Sequence, residues 1–123
     1  MNDSDKKTIL LAEDDDSMRR LLEVILKKND FEIIAAEDGL QAMKLAFENR
    51  IDAVVADAIM PGLTGYDLCR MLKKRADKKD VPVIILSGLG TNESESAKCS
   101  ADAFLSKTPR LKDELIETLK KLL

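Results

Sequence analysis

Five short apolar runs, separated by longer stretches, constrain the fold of this chain more than any other feature. Each run has the length and continuous apolar character of a strand buried on both faces of a parallel sheet. The predicted strands cover residues 8–12, 31–35, 53–56, 81–86 and 103–105. Their alternation with helical stretches implies βα units and a doubly wound α/β fold. We expect five helices and the common strand order 2-1-3-4-5.

Most of the predicted helices open on a residue that can cap free backbone N–H groups. These starts are an acidic cap near Asp16, Asp38 with Gln41, Thr64 with Asp67, and Thr108 followed by Pro109. The helix that follows Thr64 is expected to run through Arg75. In the first helix, an apolar face is formed by Met18, Leu21, Leu22 and Ile25. The polar stretch 91–100 has hardly any apolar face, so a fourth helix there would pack weakly.

The length of the chain, 123 residues, suits one domain with one sizeable core. We expect a flexible tail over residues 1–7 and the folded domain over residues 8–123. No apolar run approaches the roughly 20 residues of a membrane-spanning helix, and the polar start does not resemble a signal peptide. The chain stops just after the last predicted helix, so it is either a stand-alone protein or a piece of a longer one.

Charge and cysteine content narrow the classes of function. The net charge of −3 argues against nucleic-acid binding by this domain. Its basic cluster, residues 73–79, is interpreted as the solvated end of a helix. The two cysteines form no CxxC pair and the chain has no histidine, so a zinc site is not expected. Reduced thiols would suit a cytoplasmic location.

Polar side chains follow four of the predicted strands. Glu13 and Asp14 come after the first strand, Asp57 after the third, Ser87 after the fourth and Lys107 after the fifth. In an open parallel sheet, ligands bind outside the carboxyl ends of the strands. The fold is therefore expected to gather three carboxylates, one hydroxyl and one ammonium in a single crevice.

This group of side chains has the chemistry of a phosphoryl-transfer site. Three close carboxylates repel each other, and a divalent cation relieves the repulsion. Magnesium is the best candidate, because it takes one or two carboxylates and often shares a phosphate oxygen. Lys107 supplies a positive charge, and Ser87 a hydrogen-bond donor, for the same phosphoryl group. Asp57 is a candidate nucleophile, since aspartate carboxylates form phosphoryl intermediates.

Four segments carry a resemblance to a known family. They are ILLAEDDDSMRRLL, AVVADAIMPGLTGYDL, VPVIILSG and ADAFLSKTP. In this order and spacing, the chain resembles the receiver domain of bacterial two-component response regulators, of the stand-alone chemotaxis type. The resemblance implies a flavodoxin-like fold, Mg²⁺ dependence and phosphoryl transfer from a sensor histidine kinase or phosphotransfer protein. It also implies regulation of a downstream protein target.

Roles at the site follow from this resemblance position by position. Asp57 matches the phosphoacceptor, and Glu13 with Asp14 the acidic metal-binding pair. A further metal contact would come from the backbone carbonyl of Ile59. The family more often has Asp where Glu13 stands, and this variant is expected to keep metal binding.

The switch residues are implied in the same way. Ser87 matches the switch hydroxyl, Lys107 the phosphate-binding lysine, and Phe104 the aromatic residue that turns inward on activation. Phosphorylation would draw Ser87 toward the phosphate, and Phe104 would fill the vacated space. The face made by the fourth predicted helix, the fifth strand and the last helix would change as a result.

Two departures from the family pattern affect expectations about the site. The family usually has proline, joined by a cis bond, directly after the lysine, whereas here Thr108 stands there. A cis Lys107–Thr108 bond would cost roughly 2.5–4 kcal/mol. At the positions that tune hydrolysis stand Ile59 and Leu89, whose apolar side chains cannot orient a water molecule. Slow self-dephosphorylation is therefore predicted.

Two other functions are found on similar folds and are alternatives to the switch. An aspartyl-phosphate hydrolase on a similar fold usually has a second Asp two residues after its nucleophile, and here that residue is Ile59. Activity on external phosphoesters is therefore not expected. A pseudo-receiver would keep the fold as a protein-binding module without being phosphorylated. The complete set of site residues argues against it, while the displaced proline, Pro109, keeps it open.

Overall fold

A computed structural model of the chain describes residues 6–88 and 98–123. It contains five parallel strands in the order β2-β1-β3-β4-β5, which confirms the predicted topology. The elements are β1 Thr8–Ala12, α1 Asp16–Lys28, β2 Glu32–Ala36, α2 Gly39–Glu48, β3 Ala53–Asp57, α3 Gly65–Lys73, β4 Val83–Ser87, β5 Ala103–Ser106 and α4 Leu111–Leu122. The described residues thus hold four helices. The helix expected over 91–100 falls largely outside them, as do Leu89 and residues 1–5 of the expected tail.

Two apolar layers cover the faces of the sheet, because successive strand residues point to opposite sides. On one face, Leu10 packs with the buried sides of α2 and α3, including Ala42 and Leu68. On the other face, Ile9 packs with the buried sides of α1 and α4, among them Leu26 and Leu115. Burial on both faces explains why β1, β3 and β4 are nearly continuous apolar runs.

The first helix begins one residue from the expected cap. Asp15, rather than Asp16, is the capping residue, and its carboxylate accepts a hydrogen bond of 2.7 Å from the Met18 N–H. The buried stripe of α1 is formed by Leu22 and Leu26. Leu21 was expected on the inner face, but it is 54% exposed. That part of the predicted apolar face is wrong.

Three other boundaries lie two residues from the predicted positions, and hydrogen bonds explain two of them. β4 begins at Val83 rather than residue 81, since Val81 N–H bonds to the Lys78 carbonyl in the preceding turn. The last helix begins at Leu111, because the hydroxyl of Thr108 accepts from the Arg110 N–H in a separate turn. α3 ends at Lys73, two residues before the predicted end.

The basic cluster over residues 73–79 is more than a solvated helix end, which corrects that interpretation. Lys73 Nζ donates to the Val81 carbonyl at 3.0 Å and to Asp102 at 2.8 Å. Lys78 is buried and donates to the Asn49 carbonyl at 2.7 Å. These bonds tie the end of α3 to the start of β4 and to the loop before β3.

The two cysteines agree with the expectation of reduced thiols. Cys69 and Cys99 are buried free thiols, and the Cys69 thiol donates to the Cys99 carbonyl at 3.2 Å. Burial raises the pKa of the Cys69 thiol. Among the helices of the described ranges, none combines the length and apolar character that crossing a membrane requires.

Candidate functional site

Three carboxylates converge where β1 and β3 end. Glu13 and Asp14 follow β1, and Asp57 is the last residue of β3, which lies beside β1 in the sheet. One carboxylate oxygen from each of the three lies within 4.8 Å of the other two. The cluster of three carboxylates predicted from the sequence is therefore present, and it results from the parallel pairing of β1 with β3.

Glu13 is the buried member of the cluster. Its side chain is almost fully enclosed, and its N–H donates to the Ala36 carbonyl at the end of β2. Burial raises the pKa of the Glu13 carboxyl. The hydrogen bond from Lys107 opposes this shift in pKa, and the neighbouring Asp57 carboxyl adds to it. A cation placed between Glu13 and Asp57 would relieve the repulsion between these two carboxylates.

Lys107 lies between the two carboxylates. Its Nζ is 2.7 Å from a Glu13 oxygen and 3.2 Å from Asp57 Oδ1. Burial works to lower the pKa of Lys107, but the bond to Glu13 and the charge of Asp57 outweigh it and raise that pKa. The residues described contain no cis peptide bond, so Lys107–Thr108 is trans here. The displaced proline therefore does not prevent the ammonium group from reaching the cluster.

Ser87 ends β4 at the same edge, paired in register with Ser106 of β5. Its hydroxyl lies 3.4 Å from the Leu105 carbonyl and 3.5 Å from the Ser106 hydroxyl. Both contacts are at the long end for hydrogen bonds between oxygens, so they hold the Ser87 hydroxyl weakly. Phe104, opposite Ile85 in the same register, is partly buried against the core.

Asp14 and Ile59 are exposed residues in the two loops that follow β1 and β3. Asp14 is exposed, and its carboxylate has no hydrogen-bond or ion-pair partner among residues 6–88 and 98–123. Ile59 lies two residues beyond Asp57, with 51% of its surface exposed. Because its side chain is apolar, Ile59 brings no hydrogen-bonding side chain to the loop that follows Asp57.

Two contributors to the site were missed in the sequence. Arg19 donates to the Glu13 carbonyl at 3.0 Å, a contact that neither motif nor spacing indicated. The sequence patterns also gave Gly65 no role at the site, yet a Cβ on it would lie 2.2 Å from the Asp57 carbonyl oxygen. The start of α3 can therefore approach the end of β3 closely only because residue 65 has no side chain.

The arrangement has the parts that phosphoryl transfer onto a carboxylate needs. Asp57 offers a carboxylate that is largely buried yet lies close to the exposed Asp14. Lys107 supplies positive charge within 3.2 Å of it, and Ser87 a hydroxyl at the same edge. The Glu13, Asp14 and Asp57 cluster offers oxygen ligands of the kind that Mg²⁺ prefers.

Comparison with known proteins agrees with this site. The chain is 35% identical to Response regulator MprA of Mycobacterium sp. (strain KMS) over 117 residues, 94% of this chain and 50% of that protein. It resembles the response regulator TrrA of Thermotoga maritima, solved in complex with Mg(2+)-BeF. Identity to TrrA is 35%, and the TM-score is 0.84 over 95% of this chain and 99% of that chain.

A second solved structure is the receiver domain of sensor histidine kinase PA1611 from Pseudomonas aeruginosa PAO1, which has a magnesium ion coordinated in its active site cleft. It is 27% identical, with a TM-score of 0.87 over 95% of this chain and 97% of that chain. This chain spans about half or less of the length of the curated relatives it matches.

The family described as the response regulator receiver domain matches residues 9–120, nearly the whole chain. Together with the flavodoxin-like topology and the carboxylate cluster, this match places the chain, a receiver domain of two-component signalling, in the response regulator receiver family.

Proposed function

We propose that this domain is a phosphorylation-dependent switch whose acceptor is Asp57. The observation that carries the proposal is the position of its carboxylate, which faces Lys107 at 3.2 Å and belongs to the three-carboxylate cluster. Of the other two carboxylates in the cluster, Glu13 is fully enclosed, and Asp14 is exposed and makes no ion pair with the described residues.

In the proposed reaction, an Asp57 oxygen attacks the phosphorus of a phosphohistidine on a sensor histidine kinase or phosphotransfer protein. The P–N bond breaks, the imidazole leaves with a proton, and an acyl phosphate forms on Asp57. The sequence contains no histidine, so the donor histidine lies outside these 123 residues. Lys107 would neutralise charge on the transferring group.

The carboxylates of Glu13, Asp14 and Asp57, with the backbone carbonyl of Ile59, are the groups that would hold Mg²⁺. The donor set fits this ion, because it consists of oxygens alone and includes one oxygen from each of three carboxyl groups, all within 4.8 Å of one another. When bound, Mg²⁺ neutralises the phosphoryl oxygens and relieves the repulsion between the carboxylates. The chain's own activity would be limited to accepting this group and losing it slowly by hydrolysis.

The switch would begin at Ser87. Its hydroxyl makes only long contacts to β5, at 3.4 and 3.5 Å, so little is lost when it turns to a phosphoryl oxygen on Asp57. Phe104, partly buried opposite Ile85, would then turn inward. The face of β5, α4 and the segment before β5 would change shape and bind a downstream protein target. We propose a cytoplasmic location, which suits the two free thiols.

Beryllium fluoride can test the switch without phosphoryl transfer. The response regulator TrrA was solved in complex with Mg(2+)-BeF. Amide NMR of the chain with Mg²⁺ is expected to show large shifts at Ser87, Phe104 and α4 when beryllium fluoride is added. In Ser87→Ala, shifts near Asp57 should remain and those of α4 should shrink. Shifts confined to the Asp57 edge in the wild type would instead favour a domain that binds ligands without switching.

A further inference from the structure

The loop between β1 and α1 depends on one arginine that the proposed chemistry does not use. Arg19 is in the first turns of α1, and its side chain is only 14% exposed. One guanidinium nitrogen donates to the Glu13 backbone carbonyl at 3.0 Å. The other donates to the Asp16 carboxylate at 2.6 Å. The planar guanidinium therefore joins the start of the helix to the end of β1.

The bond to the Glu13 carbonyl fixes the peptide that directly precedes Asp14. The other side of Glu13 is held by its N–H, which donates to the Ala36 carbonyl at 3.1 Å. The Asp14 carboxylate has no partner of its own within the described parts of the chain. The direction of the Asp14 carboxylate therefore depends on the backbone. Arg19 fixes the peptide group that joins Glu13 to Asp14.

We propose that Arg19 is a positioning residue that presents the Asp14 carboxylate to the metal site. The inference rests on the proposed function, because it requires that the cluster binds Mg²⁺. Groups that orient metal ligands typically contribute about 10–100-fold to metal affinity. Arg19 acts through the loop and touches neither the ion nor the phosphoryl group.

The direction in which Mg²⁺ affinity changes when Arg19 is replaced distinguishes a positioning role from a purely electrostatic one. A guanidinium close to a cation site repels the cation, so removing its charge alone would strengthen Mg²⁺ binding. Loss of positioning would weaken binding instead. Arg20 is the matched control, since it stands next on the same helix and is exposed. Its side chain makes no hydrogen bond or ion pair with the described residues.

The test is a Mg²⁺ titration of four proteins, namely the wild type, Arg19→Gln, Arg19→Lys and Arg20→Gln. Binding is measured by calorimetry and by the change in the Asp14 amide signal in NMR. We expect Arg19→Gln to weaken Mg²⁺ binding by about 10-fold and Arg20→Gln to leave it within about twofold. Arg19→Lys keeps the charge but can reach only one partner at a time, so its affinity should fall between these values.

Thermal unfolding without Mg²⁺ shows whether each variant is folded, and Arg19→Lys remains informative if Arg19→Gln is not. Arg19 variants that bind Mg²⁺ as tightly as Arg20→Gln, or more tightly, would overturn the positioning role alone. A wild type that binds no Mg²⁺ would overturn the proposed function as well.

Discussion

Lys107 lies closer to Glu13 than to Asp57, with its Nζ 2.7 Å from a Glu13 oxygen and 3.2 Å from Asp57 Oδ1. The pair joins the end of β5 to the end of β1, across the strands that lie between them. Before any metal binds, the ammonium of Lys107 is thus the cation that balances the buried carboxylate. Mg²⁺ binding would compete for that carboxylate and leave Lys107 free for a phosphoryl oxygen.

Removal of the ammonium should therefore destabilise the metal-free protein. Lys107→Met leaves the enclosed Glu13 next to Asp57 without a cation, which is expected to cost about 1–3 kcal/mol of unfolding free energy. The double variant Glu13→Gln/Lys107→Met should regain part of that loss. Urea unfolding in EDTA measures both. Additive effects of the two substitutions would show that the pair is not coupled.

The raised pKa of Glu13 predicts how magnesium affinity depends on pH. Burial favours the protonated carboxyl, so this group stabilises the metal-free fold at low pH. That contribution is lost as the pH rises through the raised pKa, above the ordinary glutamate value of 4.5. Mg²⁺ requires the ionised form. Its affinity should therefore fall on acidification toward 4.5, and Glu13→Gln should reduce this dependence. An unchanged pH profile in Glu13→Gln would assign the effect to another group.

Gly65 predicts a steric effect at the acceptor. In Gly65→Ala, the new Cβ would lie 2.2 Å from the Asp57 carbonyl oxygen, so α3 or the end of β3 must move. We expect a loss of about 1–3 kcal/mol of unfolding free energy, and slower phosphorylation. Gly62→Ala is the control, because Gly62 has a φ of +79° but no atom within 4 Å of its Cβ position. That substitution should cost about 1 kcal/mol and leave the phosphorylation rate nearly unchanged.

Ile59 predicts a long phosphoryl lifetime. Its exposed apolar side chain cannot orient a water molecule beside Asp57, and Leu89, the other expected hydrolysis residue, lies outside the described parts of the chain. Ile59→Asn should accelerate loss of the phosphoryl group several-fold, because its amide can hydrogen-bond to an attacking water. Ile59→Val should not. The decay of phosphorylated protein, followed by intact mass, measures each rate. Equal lifetimes for all three proteins would remove Ile59 from the account.

The sequence predicted those features that depend on local pattern and on the order of elements. Continuous apolar runs identified the five strands, and the strand ends identified Glu13, Asp57 and Lys107 as neighbours. Boundaries were less predictable because tertiary bonds decide them. At the start of β4, for example, the Val81 N–H bonds to the Lys78 carbonyl in the preceding turn, and the Val83 N–H donates to the distant Asp102 carboxylate at 2.7 Å. Local pattern carries no trace of such a contact.

Arg19 shows why part of the site could not be predicted. In the sequence, Arg19 and Arg20 are indistinguishable helix cations. In the structure, Arg19 rather than Arg20 donates to the Glu13 carbonyl, at 3.0 Å. For Leu21 the sequence pattern predicted a contact that the structure lacks. Its helical spacing matched that of buried residues, but it is 54% exposed. The way each helix rotates against the sheet decides both cases.

The most direct test is the intact mass of the chain after treatment with acetyl phosphate and Mg²⁺. The wild type and Asp113→Asn, which alters an exposed carboxylate of α4, should each gain one phosphoryl group. Asp57→Asn should gain none, and EDTA should prevent the gain in every protein. A wild type that gains no mass, or an Asp57→Asn variant that is modified as fully as the wild type, would contradict the assignment of Asp57 as the acceptor.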